Sequence, residues 1–226
     1  MTKSCLYVVG IDIGNPGDLT HRAAETLRLV QGLICEEYKN GSRLLKSLDL
    51  KLPLHTLNEH STEPEIRELF DDLFVKNSGS YALVSDAGTP AFADPGAEMV
   101  KLCRDHSIPV HSVPGVSSLM TALMISGKRH ERFLYYGFLA ANHEQRQKEL
   151  NIIKNSQAVD YVFLEAPYRL KSLVADMCKV LGNKRKVRLF YKLTYPEETV
   201  ICTTLGDLLL KAESLPKGEF VLILEK

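Results

Sequence analysis

Residues 85–96, Ser-Asp-Ala-Gly-Thr-Pro-Ala-Phe-Ala-Asp-Pro-Gly, follow the apolar run Tyr81–Val84 and put two carboxylates, two prolines and two glycines into one loop. Small residues let backbone N–H and C=O groups come close to a ligand, and a carboxylate supplies an acceptor for ligand amino or hydroxyl groups. Three more turn-rich loops follow apolar runs: Asp12–Thr20 (DIGNPGDLT), Val113–Ser118 (VPGVSS) and Leu164–Arg169 (LEAPYR). Any one of them reads first as a plain connector. Four together read as the lining of a binding site. Glu165 stands out among their residues, because an ionised carboxylate directly after the apolar Tyr161–Leu164 needs a partner.

Several chemistries find no support. There is no G-x-x-x-x-G-K-[ST] and no G-x-G-x-x-G, since Gly10, Gly14 and Gly17 fall in the wrong register. The G-x-S-x-G nucleophile elbow is also absent. Lone histidines such as His55 and His111 read as structural, and no histidine pair has helical metal spacing. Phosphate cradling, triad hydrolysis and metal chemistry all weaken, and no metal is expected. The five cysteines are scattered and odd in number, which suits reduced thiols in the cytoplasm. No stretch is long and apolar enough to expect a membrane span.

The elements that must position these loops alternate in the α/β manner. Strands are expected at Cys5–Ile11, Leu33–Glu36, Leu52–Leu57, Tyr81–Asp86 and Ile108–Val113. Between them lie a helix from Leu19 stopped by Gly32, a short helix over Ser42–Leu48, one capped by Thr62 and Glu65 and running through Val75, and one with Pro95 near its start. The alternation repeats after residue 131, with strands at Arg132–Leu139, Ala158–Glu165, Val187–Thr194 and Glu219–Leu224. Helices are expected from Asn142, over Pro167–Leu181 and over Leu205–Ala212. Two small α/β domains follow, 1–114 and 115–226, joined within residues 113–131 and with a ligand cleft between them.

Charge bounds the partner. The chain has 226 residues and a formal net charge of zero, so a nucleic-acid role must rest on a local patch. Asn183–Lys192 offers one, with Lys184, Arg185, Lys186, Arg188 and Lys192 interleaved with Phe190 and Tyr191. Arg146 and Lys148 would extend it. The same stretch also reads as a solvated turn leading into a strand.

The order of the loops carries more than any one of them. An apolar strand running into IGNPGDLTHRA, then LVSDAGTP with DPG, then VPGVSS, then EAPYRL, and finally GEFVL resembles the tetrapyrrole methylase superfamily. Within it the pattern is most similar to the bacterial small-subunit ribosomal RNA 2′-O-ribose cytidine methyltransferases, from Leu6 to Leu224. The resemblance implies a homodimer that binds S-adenosylmethionine in the interdomain cleft and methylates a ribose of ribosomal RNA in the small subunit. Carried onto this chain, the cofactor would lie against Asp86, Ala87, Gly88, Thr89, Pro90 and Asp94, with Ser117, Ser118, Leu164 and Ala166 as the other wall. Gly88→Val is expected to block the cofactor's approach while leaving the fold largely intact. A ribose hydroxyl is a poor nucleophile, so a base or a charge near it would help. Glu165, Asn15 and Glu59 are the leading candidates, beside Asp18, Glu36, His60 and Arg169. Asp18 reads equally as the cap of the helix that follows it.

The chain departs from the branch on the acceptor side. Asp12 stands in the first loop where a proline is usual, Glu36, Glu37, Tyr38 and Lys39 stand where Glu-Asp-Thr-Arg is usual, so the Asp-Thr pair is missing, and Tyr191–Tyr195 replaces an acid by Lys192 and a base by Tyr195. An expected C-terminal extension is also missing from the pattern. These departures keep two further readings open: a methylase of a tetrapyrrole or other small molecule, and a non-catalytic module that binds the cofactor.

Overall fold

A computed structural model describes residues 4–94, 96–156 and 158–226. The chain forms two compact units, Met1–Ser117 and Ser118–Lys226, each built on one five-stranded sheet.

The first unit runs β1 (Cys5–Val9), α1 (His21–Leu29), β2 (Gly32–Cys35), α2 (Tyr38–Ser47), β3 (Leu54–Thr56), α3 (Glu63–Phe70), β4 (Ser80–Leu83), α4 (Gly96–Asp105) and β5 (Val110–Val113). Its strands are all parallel, in the order β3-β2-β4-β1-β5. Parallel strands need a crossover for each pair, so helices cover both faces and the strand interiors read as continuous apolar runs. Alternate residues feed two cores. Leu6, Ile34 and Leu83 pack with Phe70 and Met99 on one face, while Val9, Leu33 and Ala82 pack with Leu27 on the other. Burying a side chain such as Phe70 contributes about 1.5–3 kcal/mol. With every strand pointing the same way, the loops after β1, β2, β4 and β5 gather at one edge.

The second unit runs α5 (Ser118–Ile125), β6 (Phe133–Gly137), α6 (His143–Asn155), β7 (Asp160–Glu165), α7 (Leu170–Leu181), β8 (Lys186–Tyr191), β9 (Thr199–Thr204), α8 (Leu205–Ala212) and β10 (Phe220–Leu224). The sheet order is β6-β7-β10-β8-β9, with only the β6–β7 pair parallel. One end therefore carries the C-terminal ends of β6, β7 and β8. The other carries their beginnings together with the end of β10. A single core joins Phe163, Leu189 and Leu222 to Leu150, Val174 and Leu208 on the helices.

Several expected boundaries shift for local reasons. The first strand ends at Val9 because Gly10 and Ile11 turn to meet Val113 and Gly88. The first helix begins at His21, where Thr20 accepts the N–H of Ala23; Asp18 belongs to a preceding 3-10 turn, Pro16–Asp18, and does not cap it. Gly32 does not stop that helix either, since it opens β2. The Thr62–Glu65 cap is present, but past Phe70 the helix widens into a π-helical turn, Asp71–Lys76. The helix expected from Pro167 starts at Leu170. Residues 113–131 hold α5, and strand β9 was not anticipated at all. Pro95 lies outside the described residues, and α4 is described from Gly96.

Candidate active site

At the strand-end edge of the first unit the backbone does most of the building. Gly88 sits at φ +73°, donates its N–H to the carbonyl of Asp12 at 2.9 Å and accepts the N–H of Ile11 at 2.9 Å. The loops after β1 and β4 are thereby stitched together. A Cβ on Gly88 would come within 3.1 Å of Ile13 Cγ2 and 3.4 Å of the Val116 carbonyl. Gly88→Val is thus a poor probe, because a β-branched residue at positive φ strains the fold itself. Thr89 Oγ1 donates to the Val116 carbonyl at 3.1 Å, tying in the loop after β5. Gly10 and Gly115 press backbone to backbone, so a Cβ on either would fall within 2.6 Å of the other's main chain.

The loop's carboxylates are largely spent inside it. Asp94 accepts the N–H groups of Ala91 and Gly96 at 2.9 Å, which ties the loop to the start of α4. Asp86 Oδ1 accepts the N–H of Glu37 at 3.1 Å. Beside it burial, the Asp86 carboxylate and that of Asp94 all push the Glu36 carboxyl up, against one backbone hydrogen bond from Asp86. Burial and Asp86 likewise push the Cys35 thiol up to about 11. This edge is a region of negative potential, suited to a cationic ligand. Ala87 and Thr89 are exposed, Asp86 is half-buried and Pro90 is buried. Ser117, half-buried, closes the first unit, and Ser118, also half-buried, opens α5.

Two of the expected acceptor-side residues are engaged elsewhere or face solvent. Asn15 Oδ1 caps the 3-10 turn through the N–H of Gly17. Glu59 is 81% exposed, with His60 at 3.8 Å, and lines a depression walled by Glu63 and Arg67 of α3 and Glu98 and Lys101 of α4.

The second unit concentrates charge at the end of β7. Glu165 is buried; its Oε1 accepts the N–H of Ala166 at 2.8 Å and pairs with Arg169 Nη1 at 2.9 Å. Its Oε2 is buried with no hydrogen-bond partner among the described residues. Burial pushes this carboxyl up, with Ala166, Arg169 and Arg146 pulling against it. Leu164 and Ala166, on either side, are half-buried. Arg169 Nη2 also donates to the carbonyls of Leu139 (3.1 Å) and Ala140 (2.8 Å). Arg146 Nη1 reaches the carbonyls of Ala140 and Ala141 at 2.8 and 2.9 Å, while its other nitrogens bind Asp176. Glu149 accepts the N–H of Ala140 at 2.9 Å. Three consecutive residues after β6 are thus clamped by charged side chains. Local pattern does not announce this clamp, because Arg146 and Asp176 lie 30 residues apart on different helices and each by itself reads as a solvated position.

The expected basic patch breaks up. Arg146 is buried on Asp176, so it extends nothing. Phe190 and Tyr191 are buried in the sheet core and cannot stack on bases. Arg188 pairs with Glu225 at 2.8 Å and donates to the Ser126 carbonyl at 2.7 Å. Lys192 lies 3.7 Å from Glu197. Among the described residues Lys148, Lys184 and Lys186 remain as exposed cations without an ion pair, while Arg185 is half-buried, with Nε and Nη2 lacking a hydrogen-bond partner.

Another cluster imitates a hydrolytic triad. Ser126 Oγ lies 2.8 Å from His130 Nε2, and His130 Nδ1 lies 3.3 Å from Asp160 Oδ2. Yet Ser126 is 3% exposed, and its one proton has the Leu123 carbonyl at 2.8 Å as a competing acceptor. The cluster is structural. No group of three His, Cys, Asp or Glu side chains among the described residues is arranged to hold a metal ion, and no described helix is long and apolar enough to cross a membrane.

Residues 5–209 match the family model of the tetrapyrrole (corrin/porphyrin) methylases. The chain belongs to this family. Among its methylase relatives, the ribosomal RNA small subunit methyltransferase I of Haemophilus influenzae is 36% identical, over 97% of this chain and 78% of its own. The enzyme of the same name from Halalkalibacterium halodurans is 38% identical, over 99% and 76%. In fold, the tetrapyrrole methylase chain matches a Thermus thermophilus uroporphyrin-III C-methyltransferase solved with S-adenosylhomocysteine, at TM-score 0.67 and 19% identity over 98% of this chain and 97% of that one. The backbone-built loops at the strand ends go with the absence of a Rossmann fingerprint in the sequence.

Proposed function

We propose that this S-adenosylmethionine-dependent methyltransferase methylates a ribose 2′-hydroxyl of small-subunit ribosomal RNA. The observation that carries the substrate is the likeness, at 36–38% identity over nearly the whole chain, to relatives named for that RNA. The cofactor's fit rests on the tight turn at Gly88 and on the negative potential around Glu36 and Asp86, which suits a sulfonium and an ammonium group.

Ala87, Gly88, Thr89 and Pro90 would hold the cofactor through backbone groups, with Asp86 as an acceptor. Asp94 acts behind them by fixing the loop to α4. Ser117, Ser118, Leu164 and Ala166 are the further contacts we assign. Bound S-adenosylmethionine supplies a methyl group made electrophilic by its sulfonium. The chain's part is to align the acceptor oxygen, exclude water and take the hydroxyl proton. Glu165 Oε2 is the group we assign to the proton: it has no other partner, and its raised carboxyl is a better base than an ordinary one. Arg169 keeps Oε1 occupied, which leaves Oε2 as the free oxygen. Asn15 and Glu59 keep only positioning or peripheral roles in this scheme. Assembly as a homodimer in the cytoplasm is part of the same reading.

The test is incubation with labelled S-adenosylmethionine and small ribosomal subunits lacking the modification, followed by mapping of the label. Incorporation at a ribose of the RNA is expected. Cofactor binding by calorimetry without any transfer would sink the enzymatic assignment and leave a binding module. Transfer to a tetrapyrrole but not to RNA would redirect the substrate.

A further inference from the structure

Both ends of the second unit's sheet are charged, but they differ in which charges stay exposed and unanswered. One end holds Glu165 at the close of β7. The other holds the starts of β6, β7 and β8 and the close of β10, and the cations gather there. Lys128, Arg129 and Arg132 precede β6, Lys184 and Lys186 lead into β8, and Lys226 follows β10.

A depression of about 510 Å³ opens at this end, lined by Lys128, Arg129, Glu131, Arg132, Asp160 and Lys226 with the backbone before β7. Its acids are already committed. Asp160 is held by Lys128 Nζ at 2.7 Å and the N–H of Lys226 at 3.1 Å, and Glu131 by Arg129 at 2.9 Å. Glu225, next to the rim, is held by Arg188 at 2.8 Å. Among the described residues, the exposed side chains of Arg132 and Lys226 have no anionic partner, nor do Lys184 and Lys186 two strands along. A pocket with neutralised acids and spare cations fits an anion that brings its own negative charge.

We propose that this pocket binds a backbone phosphodiester of the substrate RNA, away from the nucleotide that is methylated. The inference rests on the RNA reading above. Five residue steps of about 3.3 Å separate Asp160 from Glu165 along β7, so the pocket lies roughly 16 Å from the proposed base. At roughly 3.4 Å of helix axis per nucleotide in a stacked strand, that is a contact about five nucleotides away. The two pocket cations without an anionic partner, Arg132 and Lys226, anchor the strand, and Lys184 and Lys186 continue the track. None of these residues takes part in cofactor binding or proton transfer.

The experiment compares the wild type with the double variant Arg132→Glu and Lys226→Glu, by fluorescence anisotropy on two probes. One is an RNA of about two nucleotides, too short to span the distance even when extended, and the other of about twenty. Calorimetry with S-adenosylhomocysteine serves as the folding control. The expected result is unchanged cofactor binding, unchanged short-RNA affinity, and long-RNA affinity reduced roughly tenfold or more with a salt dependence shallower by one to two powers of concentration. Unchanged long-RNA affinity with intact cofactor binding would overturn the pocket alone. Equal losses on both probes would overturn its remoteness from the reacting nucleotide. Wild-type protein that binds cofactor but neither RNA would sink the RNA reading, and the pocket with it.

Discussion

The two ends of β7 carry two buried carboxylates whose protons are pulled in opposite directions. Asp160, 3% exposed, and Glu165, 6% exposed, are equally shielded from water. Burial raises both. At Asp160 it is outweighed by hydrogen bonds from Lys128 and the Lys226 N–H and by the charges of Lys128 and His130, so the carboxyl is held below its usual range. At Glu165 burial prevails over Ala166 and Arg169, and Oε2 is left bare. The difference lies in saturation. A carboxylate with both oxygens answered is an anchor that no substrate will disturb, whereas one with an idle oxygen can accept a proton.

If Asp160 is the anchor, removing it should do the greatest damage. Asp160→Ala leaves Lys128 and His130 facing each other without their shared anion, and the expected loss is about 3–5 kcal/mol. Denaturant melts would read this as a lowered midpoint. A loss below about 1 kcal/mol would mean that the network relaxes and that Asp160 anchors nothing. Arg169 tests the other end. Arg169→Met deprives the Leu139 and Ala140 carbonyls of a donor and Glu165 of its countercharge, for an expected loss of about 2–3 kcal/mol. Arg169→Lys should recover part of the stability but less of the turnover, since an ammonium cannot reproduce the forked contact. Equal recovery of both would reduce Arg169 to a fold residue.

What the sequence could show follows from the range of the forces involved. Strand and helix alternation is a local pattern, so the two α/β units and most elements are legible from residue periodicity. The loops at strand ends are legible through their small residues and prolines. Glu165 announces itself by standing against an apolar run. The clamp of Arg146 on Asp176 does not, because the two positions meet only through the packing of α6 on α7. The basic stretch at Lys184–Lys192 misleads for the same reason: which residues of a strand face the core depends on β9 and β10 flanking it. Strand β9 was legible in part: Thr199–Thr204 reads Thr-Val-Ile-Cys-Thr-Thr, a β-branched run suited to a strand, but as an edge strand it lacks a clean apolar-polar alternation.

The pH dependence of stability separates the two carboxylates further. Asp160, with its folded pKa depressed, contributes stability that is present above the ordinary carboxyl value of about 3.9 and lost as pH falls through its lowered folded value. Wild-type protein should therefore lose stability steeply at the acid end, and a neutral replacement at position 160 should flatten that limb. Glu165 has the opposite sign. Its raised folded pKa favours the fold below the ordinary value of about 4.3, and that contribution is lost as pH rises through the raised folded value. Once the pH has risen past that raised value, the wild type holds an ionised, half-answered carboxylate that Glu165→Gln would not. The variant should melt at or slightly above the wild type at pH 8, within about 1 kcal/mol, and the gap should close towards pH 4. Its methyl transfer should fall about a hundredfold or more while S-adenosylhomocysteine still binds, because the group that takes the proton is gone. A variant several degrees less stable at pH 8 would show that Oε2 has a structural partner after all, and the contrast between the two ends of β7 would collapse.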